Sequence, residues 1–162
     1  MGNVFSGSEI VEIGIQIEKN GRDFYAGMLA SSGDKSCRKV FDYLMRAEEN
    51  HIKTFSKILS TVGKHESPES YEGEYFSYMK ALAQEHIFTK KNAGRDAAAK
   101  MESDMEAIET AMGFEQDSIK FYEGMKKVVP ERDHELLYAL IREEQEHYRE
   151  LGELKQVIGK GG

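Results

Sequence analysis

Two Glu-x-x-His motifs are the residues of this chain most able to do chemistry. They are Glu48-x-x-His51 and Glu144-x-x-His147. On a helix, residues three apart lie on the same face, so each motif can direct an oxygen and a nitrogen ligand toward one point. Carboxylate and imidazole donors without a thiolate suit iron or manganese, and zinc also accepts them. The motifs therefore predict a metal site with mixed oxygen and nitrogen ligands.

The two halves of the chain repeat, and the repeat adds two further carboxylates. One shift along the chain places the first motif on the second, and a shift one residue longer places Glu18 on Glu115. The longer shift also places Tyr25 on Tyr122. Two similar amphipathic hairpins would match in their apolar stripes but not in these rarer residue types. The repeat therefore predicts that both glutamates occupy equivalent points beside the motifs.

Together these residues form the ligand set of a dinuclear carboxylate site. Such sites take one glutamate from each of two helices and a Glu-x-x-His from each of two others. Four buried carboxylates are costly without counter-ions, and two divalent ions would cancel their charge. We expect two bridging glutamates, two terminal glutamates and one histidine nitrogen for each ion. The bridging pair would be Glu48 and Glu144, and the terminal pair Glu18 and Glu115. The two histidines would be His51 and His147.

The neighbours of the two single glutamates are compatible with this site. Tyr25 and Tyr122 each lie seven residues beyond one of them, which is about 10 Å along a helix axis. Their hydroxyls could reach back to a carboxylate, as groups around a metal site do, or the rings could simply fill the core. Gly14 and Gly21 flank Glu18, and we expect them to leave room for ions and a small oxidant.

Neither the Glu-x-x-His spacing nor a shared helix face marks the other histidines and glutamates discussed next as ligands. His65 and His86 have no glutamate at the metal spacing, so we expect both to be exposed. Glu49, Glu143 and Glu146 adjoin the motifs in sequence but leave the helix on other faces. We expect these three to form a solvated, charged surface.

Four long segments with helical periodicity position the candidate ligands. They are predicted at about 8–30, 35–63, 103–128 and 131–158. The turns near Gly33 and Pro130 are short, so each neighbouring pair forms an antiparallel hairpin. The crossover 64–102 is long enough for the second and third helices to run parallel, and we expect one short helix within it. The sequence thus predicts one all-α domain over 1–162, a four-helix bundle with one long crossover.

Composition and charge exclude several functions. The 22 Lys and Arg residues against 29 Asp and Glu give a net charge of −7, which argues against tracking nucleic-acid phosphates. No apolar stretch reaches the ~18–20 residues of a membrane span, and the first residues lack the basic, apolar pattern of a leader peptide. Cys37 is the single cysteine, so no internal disulfide can form. We expect a cytoplasmic protein with neither a nucleic-acid nor a membrane partner.

In its four bundle helices the chain resembles the rubrerythrin family of the ferritin-like superfamily. The resemblance rests on Glu18, Glu48-Glu49-Asn50-His51, Glu115 and Glu144-Gln145-Glu146-His147. It implies a ferritin-like bundle with a di-iron centre, assembled as a homodimer or a larger homo-oligomer. It also implies reduction of hydrogen peroxide to water in the cytoplasm. Bacterioferritin shares the two motifs, but Glu49 stands where its haem-ligating methionine would be.

Two departures from the family pattern affect the expected activity. Rubrerythrins proper carry a rubredoxin domain with four cysteines, which one cysteine excludes here. Electrons would then come from a separate donor, such as a rubredoxin-like protein. Rubrerythrins also have a second glutamate one turn past the third-helix ligand, and Ser118 stands there in this chain. The redox-linked ligand exchange of that glutamate is therefore not expected.

The predicted function is that of a non-haem di-iron oxidoreductase that reduces hydrogen peroxide with electrons from an external donor. The expected cofactor is two iron ions, with manganese or zinc as alternatives. Two other functions stay open. One is a ferroxidase that oxidises ferrous iron with oxygen and stores it; the other is a non-catalytic bundle that holds a metal.

Overall fold

The part of the chain that the structure describes is mostly helical. This computed structural model describes residues 7–65 and 73–161, without the side chains of 63–65, and no strand occurs within those ranges. The helices are α1 Gly7–Ser31, α2 Lys35–His65, α3 Gly73–Glu85, α4 Ala93–Lys100, α5 Asp104–Gly124 and α6 His134–Gly161. None of these described helices is both long and apolar enough to cross a lipid bilayer. The predicted all-α class is confirmed.

The four long helices form the bundle in the predicted order. α1 packs along α2 and α5 along α6, and the two hairpins meet through α1 with α5 and α2 with α6. Period-3.6 apolar stripes turn inward, and their buried members include Ile10, Ile17, Phe24, Leu44, Phe55, Ile58, Phe121 and Leu140. The inward faces of four different helices therefore converge on one core.

Side-chain caps set the beginnings of two bundle helices. The Asp34 carboxylate accepts a hydrogen bond from the Cys37 backbone N–H at 2.9 Å, which satisfies a free donor at the start of α2. Ser103 does the same for α5, because its hydroxyl accepts from the Glu106 N–H at 3.1 Å. These caps fix where each helix begins.

The crossover contains two helices, one more than the sequence pattern predicts. α3 packs on α5, and the alanine-rich α4 packs on α1. The α4 contact is close because its residues are small: a Cβ added to Gly27 of α1 would lie 2.6 Å from the Cβ of Ala98. A helix held by small residues and close backbone approach has no broad apolar stripe, which is why periodicity does not reveal it.

Asn20 of α1 ties the crossover to the bundle. Its side chain is 1% exposed, and its Nδ2 donates to the carbonyl oxygens of Phe88 and, at 2.7 Å, Lys90. Its Oδ1 accepts from the Gly94 N–H at 3.1 Å. Three backbone groups of the crossover are thus satisfied by one amide. Because Asn20 lies two residues from Glu18, this anchor also holds α1 in place beside the candidate site.

Candidate metal centre

The six predicted ligand residues meet in the interior of the bundle. All are at most 2% exposed. They form two overlapping groups, and within each group the possible ligand atoms lie within 4.8 Å of one another. One group consists of Glu18, Glu48, His51 and Glu144, and the other of Glu48, Glu115, Glu144 and His147. The imidazole rings face each other with centroids 5.7 Å apart. The two glutamates shared by both groups, one from each motif, stand where bridging ligands would be needed.

Several polar atoms of this cluster are buried without a hydrogen-bond partner among the described residues. They are both carboxylate oxygens of Glu48, Oε2 of Glu115, Oε2 of Glu144 and Nδ1 of His147. An unsatisfied buried acceptor costs free energy, and an unpaired buried charge costs more. Atoms of this kind, converging from three helices, fit the binding of cations.

The pKa values of the cluster also indicate that its buried carboxylates lack enough neighbouring positive charge. Burial, together with the nearby Glu115 charge, raises the pKa of Glu144 well above its usual range. Against the effect of burial, the neighbouring Glu144 and His147 side chains lower the pKa of Glu115. The pKa of His51 is raised despite its burial, because the Glu18 charge favours the imidazolium. Without metal the cluster therefore retains protons, which bound metal ions would displace.

Two buried tyrosines hold the carboxylates of Glu115 and Glu18. The Tyr25 hydroxyl donates to Oε1 of Glu115 at 2.7 Å, and the Tyr122 hydroxyl donates to Oε1 of Glu18 at 2.6 Å. Each tyrosine thus reaches the glutamate of the other hairpin. Burial first, and then the carboxylate charges, raise the pKa of both phenols well above the usual value. They remain protonated donors, so one oxygen of each glutamate is fixed while the other stays directed at the cluster.

Glu143 contacts the cluster, so its assignment to the solvated surface is wrong in part. Its side chain is 59% exposed, yet its Oε2 lies 3.0 Å from Nε2 of His51. The hydrogen bond from His51 lowers the pKa of Glu143. Helical spacing relates a residue only to its own helix, whereas this contact joins α6 to α2. The sequence signal that could have revealed it is the position of Glu143, directly before a ligand of the facing motif.

His86 is buried, so the expectation that it is exposed is wrong. Its ring is 4% exposed, packs edge-on against Phe114 with centroids 5.6 Å apart, and has Nε2 3.0 Å from the Ser118 hydroxyl. Its Nδ1 accepts from the Phe88 N–H at 3.1 Å, so the ring proton is on Nε2 and is donated to Ser118. The crossover folds back onto the bundle here, which no metal spacing predicts. The side chain of His65 lies outside the described residues.

Burial of His86 predicts a specific dependence of stability on pH. Burial lowers its pKa from 6.5 to about 4. Between these values the unfolded chain binds a proton that the folded chain does not, so the free energy of unfolding falls as the pH is lowered. From pH 7 to pH 5 this residue should cost about 2 kcal/mol. Urea unfolding of the metal-free protein, compared with His86→Gln, measures the difference. An equal pH response in both proteins would contradict it.

The glycines beside Glu18 do not leave an open cavity, contrary to expectation. A Cβ added to Gly21 would lie 2.7 Å from Cζ of Phe114 and 3.1 Å from Oε2 of Glu48. One added to Gly14 would lie 2.5 Å from Cε of Met125. Small residues here admit neighbouring side chains, and the cluster is consequently enclosed by tightly packed groups.

A four-helix bundle with one long crossover and a central cluster of glutamates and histidines defines the ferritin-like class of proteins. Within that class the chain matches the model of the Rubrerythrin family over residues 9–155. It belongs to this family of ferritin-like di-iron proteins. No curated protein and no solved structure matches the chain. Family and cluster together indicate a metal site.

Proposed function

We propose that the cluster binds two iron ions and that the protein reduces hydrogen peroxide with electrons from an external donor. The observation that carries this proposal is the pair of overlapping ligand groups that share Glu48 and Glu144. Glu18 and His51 would complete one position, and Glu115 and His147 the other. We assign the six side chains these roles because they come from four helices and point to one buried space.

The donor set and the family support iron. The cluster offers carboxylate oxygens and imidazole nitrogens without thiolate, which is a suitable environment for iron or manganese. When bound, a pair of ferrous ions supplies the two electrons and the Lewis acidity needed to reduce peroxide to two waters, with two protons taken up. Tyr25 and Tyr122 orient the terminal glutamates by donating to one oxygen of each. No protein nucleophile is needed.

The electrons, the assembly and the location are also part of the proposal. A rubredoxin-like protein outside these 162 residues would reduce the iron again after each turnover, because one cysteine cannot form a four-cysteine iron site. The family resemblance favours a homodimer or larger homo-oligomer in the cytoplasm. Neither nucleic acid nor membrane is assigned as a partner.

A ferroxidase that uses oxygen is the second candidate. The observation that favours it is Ser118, which by the family resemblance stands where the additional glutamate would be and is hydrogen-bonded to the neutral ring of His86. Without that carboxylate the centre lacks the ligand that exchanges during peroxide turnover in the family. Uptake of iron well beyond two ions per chain would favour this candidate.

Anaerobic mixing tests peroxide against oxygen. The protein is loaded with two ferrous ions per chain and mixed with stoichiometric peroxide or oxygen while the near-ultraviolet absorbance of ferric iron is followed. We expect markedly faster oxidation by peroxide. Oxygen reacting at least as fast would favour the ferroxidase, and no reaction with either would indicate a site for another metal.

A further inference from the structure

We propose that the two metal positions differ in affinity, and that Glu143 makes the position beside His51 bind its ion more tightly and fill first. The proposal rests on the proposed function, in that it requires the cluster to bind two ions. It concerns which position binds more tightly and why. Nothing in the six ligand residues themselves separates the positions, because the repeat provides each with the same residue types.

The difference begins on the outer side of His51. Its Nδ1 faces the cluster, 2.9 Å from Oε1 of Glu144 and 3.3 Å from Oε2 of Glu18. Its Nε2 faces outward and lies 3.0 Å from Oε2 of Glu143. A carboxylate on the outer nitrogen of a ligating imidazole keeps the proton there, fixes the ring and makes the inner nitrogen a stronger donor. Glu143 is therefore placed to act through His51 as a positioning residue.

Within residues 7–65 and 73–161, no carboxylate supports the outer nitrogen of His147 in this way. The repeat places Glu143 on Ala47, whose methyl group cannot accept a hydrogen bond. The ion pairs of His147 with the described residues run through its Nδ1, at 3.7–3.9 Å from the cluster carboxylates. Its ring meets the edge of Tyr43, with centroids 6.0 Å apart and planes at 86°. The repeat places Tyr43 on Ala139, so neither imidazole has the outer neighbour of the other.

Two independent observations thus point the same way. Among the described residues an outer carboxylate lies on His51 only, since its repeat counterpart is Ala47. The inner nitrogen of His51 is also closer to its carboxylates than that of His147. Loss of an outer carboxylate of this kind typically costs 10–100-fold in metal affinity. The position beside His51 should bind its ion more tightly than the position beside His147 by about the same factor.

Cobalt(II) titration of the metal-free full chain, followed by visible absorption, tests this inference. Repulsion between the two ions separates the two binding steps even in a symmetric site. The comparison of variants, and not the presence of two steps, therefore tests the inference. If the His51 position is the tighter one, Glu143→Ala weakens the first step about 10–100-fold and leaves the second within about twofold. Glu143→Gln, which keeps an acceptor oxygen, should recover part of the loss. Ala47→Glu should strengthen the second step.

The matched control is Glu49→Ala, which removes one exposed carboxylate next to the other motif's glutamate. It should leave both steps unchanged. If Glu143→Ala weakens chiefly the second step, or has no more effect than Glu49→Ala, the inequality is overturned while the two-metal site stands. If the unmodified protein binds no cobalt, or only one ion per chain, the two-metal site fails and the inequality with it.

Discussion

Replacing Glu144 by glutamine is expected to leave the protein folded but unable to hold iron or to react with peroxide. Glu144 belongs to both candidate ligand groups and is fully buried, so under the proposed assignment its loss removes an anionic ligand from each position. Residues that only support metal ligands already contribute 10–100-fold to affinity or activity. Peroxide-dependent iron oxidation should therefore fall by at least about 100-fold.

The same variant should be more stable than the unmodified protein when both are free of metal. Burial and the Glu115 charge raise the pKa of Glu144, so at neutral pH the folded chain must hold either an extra proton or an unfavourable charge there. Glutamine resembles the protonated acid and removes this cost, which is worth about 1–3 kcal/mol. Opposite changes in metal binding and apo stability distinguish a site built for cations from an ordinary core position.

Iron content and urea unfolding measure the two effects. The matched control is Glu146→Gln, an exposed residue two positions away whose carboxylate pairs with Arg149, and it should retain iron and reactivity. Full iron content and an unchanged rate in Glu144→Gln would exclude this residue as a ligand.

Gly94→Ala is expected to destabilise the protein by more than about 3 kcal/mol, the upper range of ordinary overpacking. A Cβ at this position would lie 1.8 Å from the backbone oxygen of Asn20, and backbone atoms of a packed helix cannot move aside as a side-chain tip can. Relief of the clash requires α4 to separate from α1, which would also break the Asn20 hydrogen bonds. Metal affinity should fall as well, because Glu18 lies two residues from Asn20, whose hydrogen bonds hold this part of α1 in place.

Gly113→Ala is the control, and it should change the free energy of unfolding in the opposite direction. Gly113 lies inside α5 with open space around it, so alanine there should stabilise the protein by about 0.5–1 kcal/mol through helix propensity and a less flexible unfolded chain. Urea unfolding compares the two variants. Equal stability of both would mean that α4 does not lie against α1.

Most of the bundle and the meeting of the six glutamate and histidine side chains could be predicted, because both depend on spacing within single helices and on the repeat. The Glu-x-x-His spacing identifies His51 and His147, and the repeat adds Glu115. The contacts that were missed depend on how separate elements meet in space. Glu143 reaches His51 across a helix interface, and His86 enters the core because the crossover folds back on the bundle.

The crossover shows the physical limit of prediction from pattern. Large apolar residues at helical spacing reveal α1, α2, α5 and α6, whereas α4 is held by small residues that produce little amphipathic signal. Its position depends on close contact at Gly94 and on the buried amide of Asn20. Neither a glycine nor an asparagine indicates in the sequence which residue it will contact, and these two lie more than seventy residues apart along the chain.

Anaerobic titration of the metal-free chain with ferrous iron, followed by removal of loosely bound metal and iron analysis, tests the proposed centre most directly. The ligand geometry predicts saturation at two iron ions per chain in the unmodified protein and in Glu146→Gln, and loss of bound iron in Glu144→Gln. Saturation at one ion, or equal iron content in Glu144→Gln and the unmodified protein, would contradict a dinuclear site built on these six residues.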